Sequence, residues 1–209
     1  MTICCIRKSL VRVLLFCCVL SGFLVVGGCA RQDDSVDFNA MLSTPDRAWL
    51  ESRPEVNAVP DYEALIADVG YGGLSDRDLS TTQIAAVVRA AEKGQFVVDR
   101  SDDKNVVYRN AVWFSMLMER LRRMATATPS KEELEKIRQA MLGVASHMDS
   151  AAYRSFGNGA LERFVLSSHN KYFDILLSSY DAEELLTLGY KRELLEEQVR
   201  VLKRAVTGR

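Results

Sequence analysis

The stretch SKEELEKIRQAMLGVASHM, Ser130 to Met148, decides the fold class. Leu134, Ile137, Met141, Val144 and Met148 recur at spacings of three and four, one stripe of a 3.6-residue helix. Lys131, Glu132, Glu135 and Arg138 fall off that stripe and are expected to stay in water. Ser130 followed three residues later by Glu133 is a capping box, in which each side chain satisfies a backbone N–H of the other. The preceding Thr126-Ala127-Thr128-Pro129 breaks the chain. An amphipathic helix of this length needs an apolar partner, and the flanking sequence supplies several.

Downstream, Asp149-Ser150 is expected to cap a short helix that Gly157-Asn158-Gly159 ends. Leu161 to Tyr180 then carries apolar residues almost all round, Phe164, Val165, Leu166, Phe173, Ile175 and Leu176 among them. Only an element surrounded by others gains from that pattern, so it is expected to be the central helix. Asp181 caps Ala182–Leu188, Gly189 interrupts, and Lys191–Val206 closes the chain with Leu195, Val199, Leu202 and Val206 on one face.

Upstream, the longest helix should run from Asp102 or Asp103 to about Ala125. Its face is Val107, Ala111, Phe114, Met118 and Leu121, widened by Trp113 and Leu117. Ser80 caps a helix in which Ile84, Val87, Val88 and Ala91 recur, with Gly94 at its C-terminal cap. Gln95 to Asp99 reads as extended. Ser43-Thr44-Pro45-Asp46 starts a short helix to Ser52, and Asp61 opens another that Gly70 ends. The chain has four prolines, none after Pro129, and no repeat is visible. The fold class is therefore all-α, a single bundle of about six to eight helices over residues 41–209.

The N-terminus has a different character. Val13 to Val26 is an apolar run preceded by Arg7, Lys8 and Arg12, with no acidic residue before Asp33, and it ends in Val26-Gly27-Gly28-Cys29. A basic flank, a short apolar core and small residues describe a secretory signal. The run resembles the signal peptides of bacterial lipoproteins, whose lipobox is a branched aliphatic, two small residues and cysteine. The resemblance covers Met1 to Cys29. It implies cleavage after Gly28, lipidation of Cys29 and attachment to the membrane through the lipid, with the domain in the periplasm. Ala30, where retention signals place Asp, implies sorting to the outer membrane. The expected organisation is residues 1–28 as signal peptide, 29–40 as lipidated N-terminus and tether, and 41–209 as the domain. An uncleaved transmembrane anchor is the rival, but a run of 14 residues falls short of the roughly 20 that span a bilayer.

All five cysteines (Cys4, Cys5, Cys17, Cys18 and Cys29) lie in the signal or at the cut. The mature domain thus has no thiol for disulfides, nucleophilic catalysis or zinc. Losing Arg7, Lys8 and Arg12 takes Lys+Arg from 27 to 24 against 28 Asp+Glu, a net charge of −4. A mildly acidic, mixed surface argues against nucleic acid as a partner.

The catalytic motifs are thin. Asp99 to Asn105 looks like a calcium loop, but Lys104 stands where the turn needs glycine and Asn110 where a bidentate Glu belongs. His147, near a helix C-terminus, is expected as a cation favoured by the helix dipole. His169 lies mid-helix beside Ser167, Ser168 and Asn170. Neither has metal-ligand spacing around it, and no nucleophile elbow or phosphate loop occurs. Nothing points to a cofactor. Glu51-Ser52 resembles the catalytic Glu-Ser pair of helical peptidoglycan lyases, yet the later motifs of that family are missing. Tyr71, Trp113, Phe114, Tyr153, Phe156, Phe164, Tyr172 and Phe173 could line a groove, but at helical spacing they read as core. The expected function is a non-enzymatic helical module that binds, assembles or supports another envelope protein. Alternatives are a small hydrolase or lyase acting on cell-wall or envelope substrate, and a carrier of a small ligand.

Overall fold

The computed structural model describes residues 37–70, 79–97, 104–127, 129–149 and 159–207, and for 104–109 and 159–160 the backbone alone. The signal peptide, Cys29, Tyr71, Asp99–Asp103, Tyr153, Phe156 and the short helix expected before Gly157 lie outside these residues.

The chain is all-α. Nine helices occur among the described residues: α1 Phe38–Met41, α2 Thr44–Ser52, α3 Val59–Val69, α4 Thr81–Ala91, α5 Lys104–Thr126, α6 Lys131–Met148, α7 Gly159–Ser179, α8 Ala182–Thr187 and α9 Arg192–Thr207. The starts follow the local chemistry. Ser43, Ser80, Ser130 and Asp181 each accept backbone N–H groups as N-caps, and the last three complete capping boxes with Gln83, Glu133 and Glu184. Gly70 ends α3 at φ 74°, a conformation that costs side chains with a Cβ.

Packing departs from the sequence reading in four places. Among the described residues, Asp37 and Phe38 already pack, inside the stretch expected as tether. Asp37 caps α1, and Phe38, the one aromatic in the polar 30–39 stretch, is fully buried. Gly94 does not cap α4, whose C-cap is Glu92. It lies where the chain crosses Pro54, and a Cβ there would meet the Pro54 carbonyl at 3.0 Å. The Gln95 segment contributes one isolated bridge, to Asn57, with Ala58 N donating to Gln95 O at 2.9 Å.

The third and fourth departures concern the centre. α7 packs against α5, α6 and α9, as a central helix should, and Tyr172, Phe173, Ile175 and Leu176 are fully buried. Phe164 and Leu166 are only half-buried. α6 shares the centre, packing against α2, α4, α5 and α7. Beyond its apolar stripe it buries Ala140, Leu142, Gly143 and Ala145, and also Arg138 and His147. Small residues on its second face let a neighbour approach: a Cβ at Gly143 would lie 2.6 Å from the Cβ and carbonyl oxygen of Ala91 on α4. Arg138, expected in water, is 5 % exposed.

Candidate functional site

The close approach of Ala91 to Gly143 joins α4 to α6 near the C-terminal end of α4. The length of α4, the N-terminal half of α6 and the end of α5 line an open groove of about 680 Å³. That lies within the range of small-molecule and peptide sites. α4 turns Val87, Ala90 and Ala91 into the core and leaves Ile84, Ala85 and Val88 along the groove wall. Ile137 of α6 and Met124 of α5 form the rest of the apolar lining, with Ala127 and Pro129 at the chain break between those helices. Arg89 and Glu92 stand on one rim and Glu133 and Lys136 on the other. Glu133 is held by the Ser130 capping box, and Lys136 donates to Glu132 at 2.7 Å. The walls are apolar and the rim carries both signs of charge. Such a surface can hold an apolar side chain or ligand and orient it by hydrogen bonds at the edge; among the described residues that line it there is no histidine or cysteine.

Two buried polar clusters flank the centre. In the first, Asp46, in the opening turn of α2, is 1 % exposed. It accepts from Arg138 at 2.5 Å, from Tyr190 at 2.6 Å and from Tyr172. Arg138 also donates to Tyr172 Oη at 3.1 Å and, through Nε and the second terminal nitrogen, to both oxygens of Glu135 at 2.8 and 2.6 Å. Burial alone would lower the guanidinium's pKa. The Glu135 hydrogen bonds and the Asp46 charge outweigh that and hold it above its ordinary value. Burial raises both Tyr172 and Tyr190, with Tyr190 and then Asp46 adding to the first and Asp46 to the second, so both phenols stay protonated donors. Gly189 at φ 82° turns the chain so that Tyr190 reaches this carboxylate; a Cβ there would meet Pro45 and Ser43 at 3.1 Å.

In the second cluster, His147 is 2 % exposed. Burial, reinforced by the Arg53 charge, pushes its imidazole down to about 4. The expected cation is therefore a neutral ring. Its Nε2 lies 2.7 Å from the Lys93 carbonyl, which can only accept, so Nε2 carries the proton and Nδ1 accepts from Tyr62 Oη at 2.9 Å. Arg53 binds Ala91 O at 2.9 Å, Ser146 Oγ at 3.2 Å and Leu50 O at 3.2 Å, tying the ends of α2 and α4 to α6. Burial lowers its pKa to about 10.

The remaining candidates disperse. The His169 ring is fully buried and stacks on Phe38 with centroids 4.0 Å apart; its Nε2 lies 3.7 Å from Asp149. Ser168 Oγ donates instead to the Phe164 carbonyl at 2.9 Å. Glu51 and Ser52 are exposed at the end of α2, with the Ser52 hydroxyl on Trp49 O. Lys104 and Asn105, from the calcium-like stretch, lie in the first turn of α5. Trp113, Phe114, Tyr172 and Phe173 are core. Among the described residues no group of three His, Cys, Asp or Glu is placed to hold a metal, and no helix is long and apolar enough to cross a membrane. Neither a protein-family model nor a characterised protein nor a solved structure matches the chain.

The groove was missed in the sequence because its lining residues look like core. Ile84 and Val88 share the pattern that buries Val87 and Ala91. The one available signal was the width of the α4 apolar face, broader than a single contact requires.

Proposed function

We propose that this chain is a lipid-anchored envelope protein whose helical domain binds another envelope protein in the groove between α4 and α6. The observation that carries the reading is the groove itself, an open apolar surface with a mixed-charge rim. The lipobox Val26-Gly27-Gly28-Cys29 supports the anchor, with Cys29 acylated, the domain in the periplasm, and Ala30 favouring the outer membrane. A hydrolase or lyase needs an acid–base pair facing a cleft. Both histidines are inside the core, which weighs against that use.

A photocrosslinking residue at Ala85, in the groove, tests the binding reading in native envelope against one at Arg163, exposed on α7. An adduct specific to Ala85 that disappears in a Val88→Asp background is expected. The same adducts from both positions would overturn it. The anchor is tested separately: Cys29→Ser should abolish labelling with a radioactive fatty acid, and retained label would remove Cys29 as the attachment point.

A further inference from the structure

The closing helix carries two apolar stripes. Leu195, Val199 and Leu202 face the bundle and are buried. Leu194 and Val201, two turns apart, are 63 % and 41 % exposed. Gln198 and Ala205 complete the second stripe at the 4–3–4 spacing of a helix–helix seam. Exposed single hydrophobics are ordinary, but these two share one face. Of the five large apolar side chains exposed among the described residues, three (Leu186, Leu194 and Val201) lie in the last two helices.

The charges beside this stripe are ordered. Along its solvent edge run Glu193, Glu197, Arg200 and Arg204, two acids in the first half of the helix and two bases in the second. In an antiparallel helix pair related by a two-fold axis, each flanking edge meets its own copy, running the other way. With Gln198 near the axis, Leu194 of one copy approaches Val201 of the other. The same register places Glu197 beside Arg200 and Glu193 beside Arg204, each contact made twice. A parallel two-fold pairing would instead set this edge against the opposite flank of the helix, where Leu195, Val199 and Leu202 are buried in the bundle. The edge is therefore complementary to itself in one orientation only.

We infer that α9 pairs antiparallel with the α9 of a second copy of this chain, through the Leu194–Val201 stripe and its acid-then-base edge. The Glu197–Arg200 contact within one helix is a solvent-exposed pair and exchanges readily for the contact between copies. One helix about 24 Å long offers a small interface, at the weak end of specific contacts. Association should therefore weaken with salt. The inference does not rest on the groove, which lies on other helices.

Charge exchange tests it. The full-length chain, Glu193→Lys/Glu197→Lys, Arg200→Glu/Arg204→Glu, and an equimolar mixture of the two variants are compared by sedimentation velocity in non-denaturing detergent. The first variant has an all-basic edge and the second an all-acidic one, so each repels itself and attracts the other. The expected result is a wild-type dimer, a dissociation constant raised about tenfold or more in each variant alone, and recovery to wild-type or tighter association in the mixture. Far-UV circular dichroism checks that each variant is folded, and recovery in the mixture shows it independently. A monomeric wild type overturns the inference. So does a dimer indifferent to both variants, which would place association elsewhere, for instance in the apolar N-terminus. Failure of the mixture to recover also overturns it.

Discussion

Arg138 and His147 lie nine residues apart on α6 and are buried to nearly the same degree, yet one keeps its charge and the other does not. Burial penalises the charged form in both. The difference lies in what the neighbouring helices bring. α2 delivers the Asp46 carboxylate to Arg138 at 2.5 Å, and Glu135 adds two more hydrogen bonds from within α6. His147 meets a phenol, a carbonyl and another cation, Arg53, none of which stabilises an imidazolium strongly. One helix thus holds an ionic tie near its middle and a neutral hydrogen-bonded tie at its C-terminal end. The first joins α2, α6, α7 and the Tyr190 turn; the second joins α3, α4 and α6.

The largest expected effect comes from breaking the ionic tie. Asp46→Ala leaves two buried phenols without their acceptor and a buried cation with Glu135 as its remaining carboxylate, at a cost of about 3–5 kcal/mol. Urea unfolding measures it. Replacing both partners, Asp46→Leu with Arg138→Met, removes the buried cation as well, leaves only the two phenols without their acceptor, and should cost less than the single change. Equal losses in the single and double variants would mean that the pair contributes shape rather than charge compensation.

The neutral tie is expected to show itself through pH. The folded-state pKa of His147, about 4, lies below its ordinary 6.5. The unfolded chain therefore binds a proton in that window that the native state does not. Stability is fully present above pH 6.5 and falls as pH drops toward 4, by about 3 kcal/mol for this shift. His147→Gln keeps a donor and an acceptor but cannot titrate, so the decline between pH 6.5 and 4 should shrink. An unchanged slope would show that His147 is already protonated when folded.

The smallest effect sharpens the comparison by moving the neighbour instead of the polar group. Gly143→Ala places a methyl 2.6 Å from Ala91 and must push α4 away from α6. Overpacking of this kind costs about 1–3 kcal/mol. Arg53 and His147 both bind the end of α4, through Ala91 O and Lys93 O, so the neutral tie should loosen while the ionic one is untouched. Thermal melts give the loss, and a changed crosslinking pattern at Ala85 would report the altered groove.

Much of the fold was legible. Ser80, Ser130 and Asp181 announced their helices because an N-cap needs only residues within the next turn, and the Leu134–Met148 stripe announced a buried face. These are local rules, in which the cause lies within a few residues of the effect. Arg138 was misread because it sits off the apolar stripe among charged neighbours, and nothing nearby says that Asp46 arrives from 92 residues away. His147 was misread as a helix-end cation because the dipole argument sees only its own helix, not Arg53 and the Lys93 carbonyl. Phe38 was lost in a polar stretch since its partner, His169, is remote.

The sequence by itself determined that this chain is all-α, where its capped helices begin, and that its N-terminus has the pattern of a lipoprotein signal. Those properties depend on periodicity and on side chains competing for nearby backbone groups. Only the tertiary structure decided which polar side chains are buried, which of them keep a charge, and where the apolar face of α4 is left uncovered. Each of those depends on the free energy of taking a group out of water, and that is set by the neighbours that three-dimensional packing supplies.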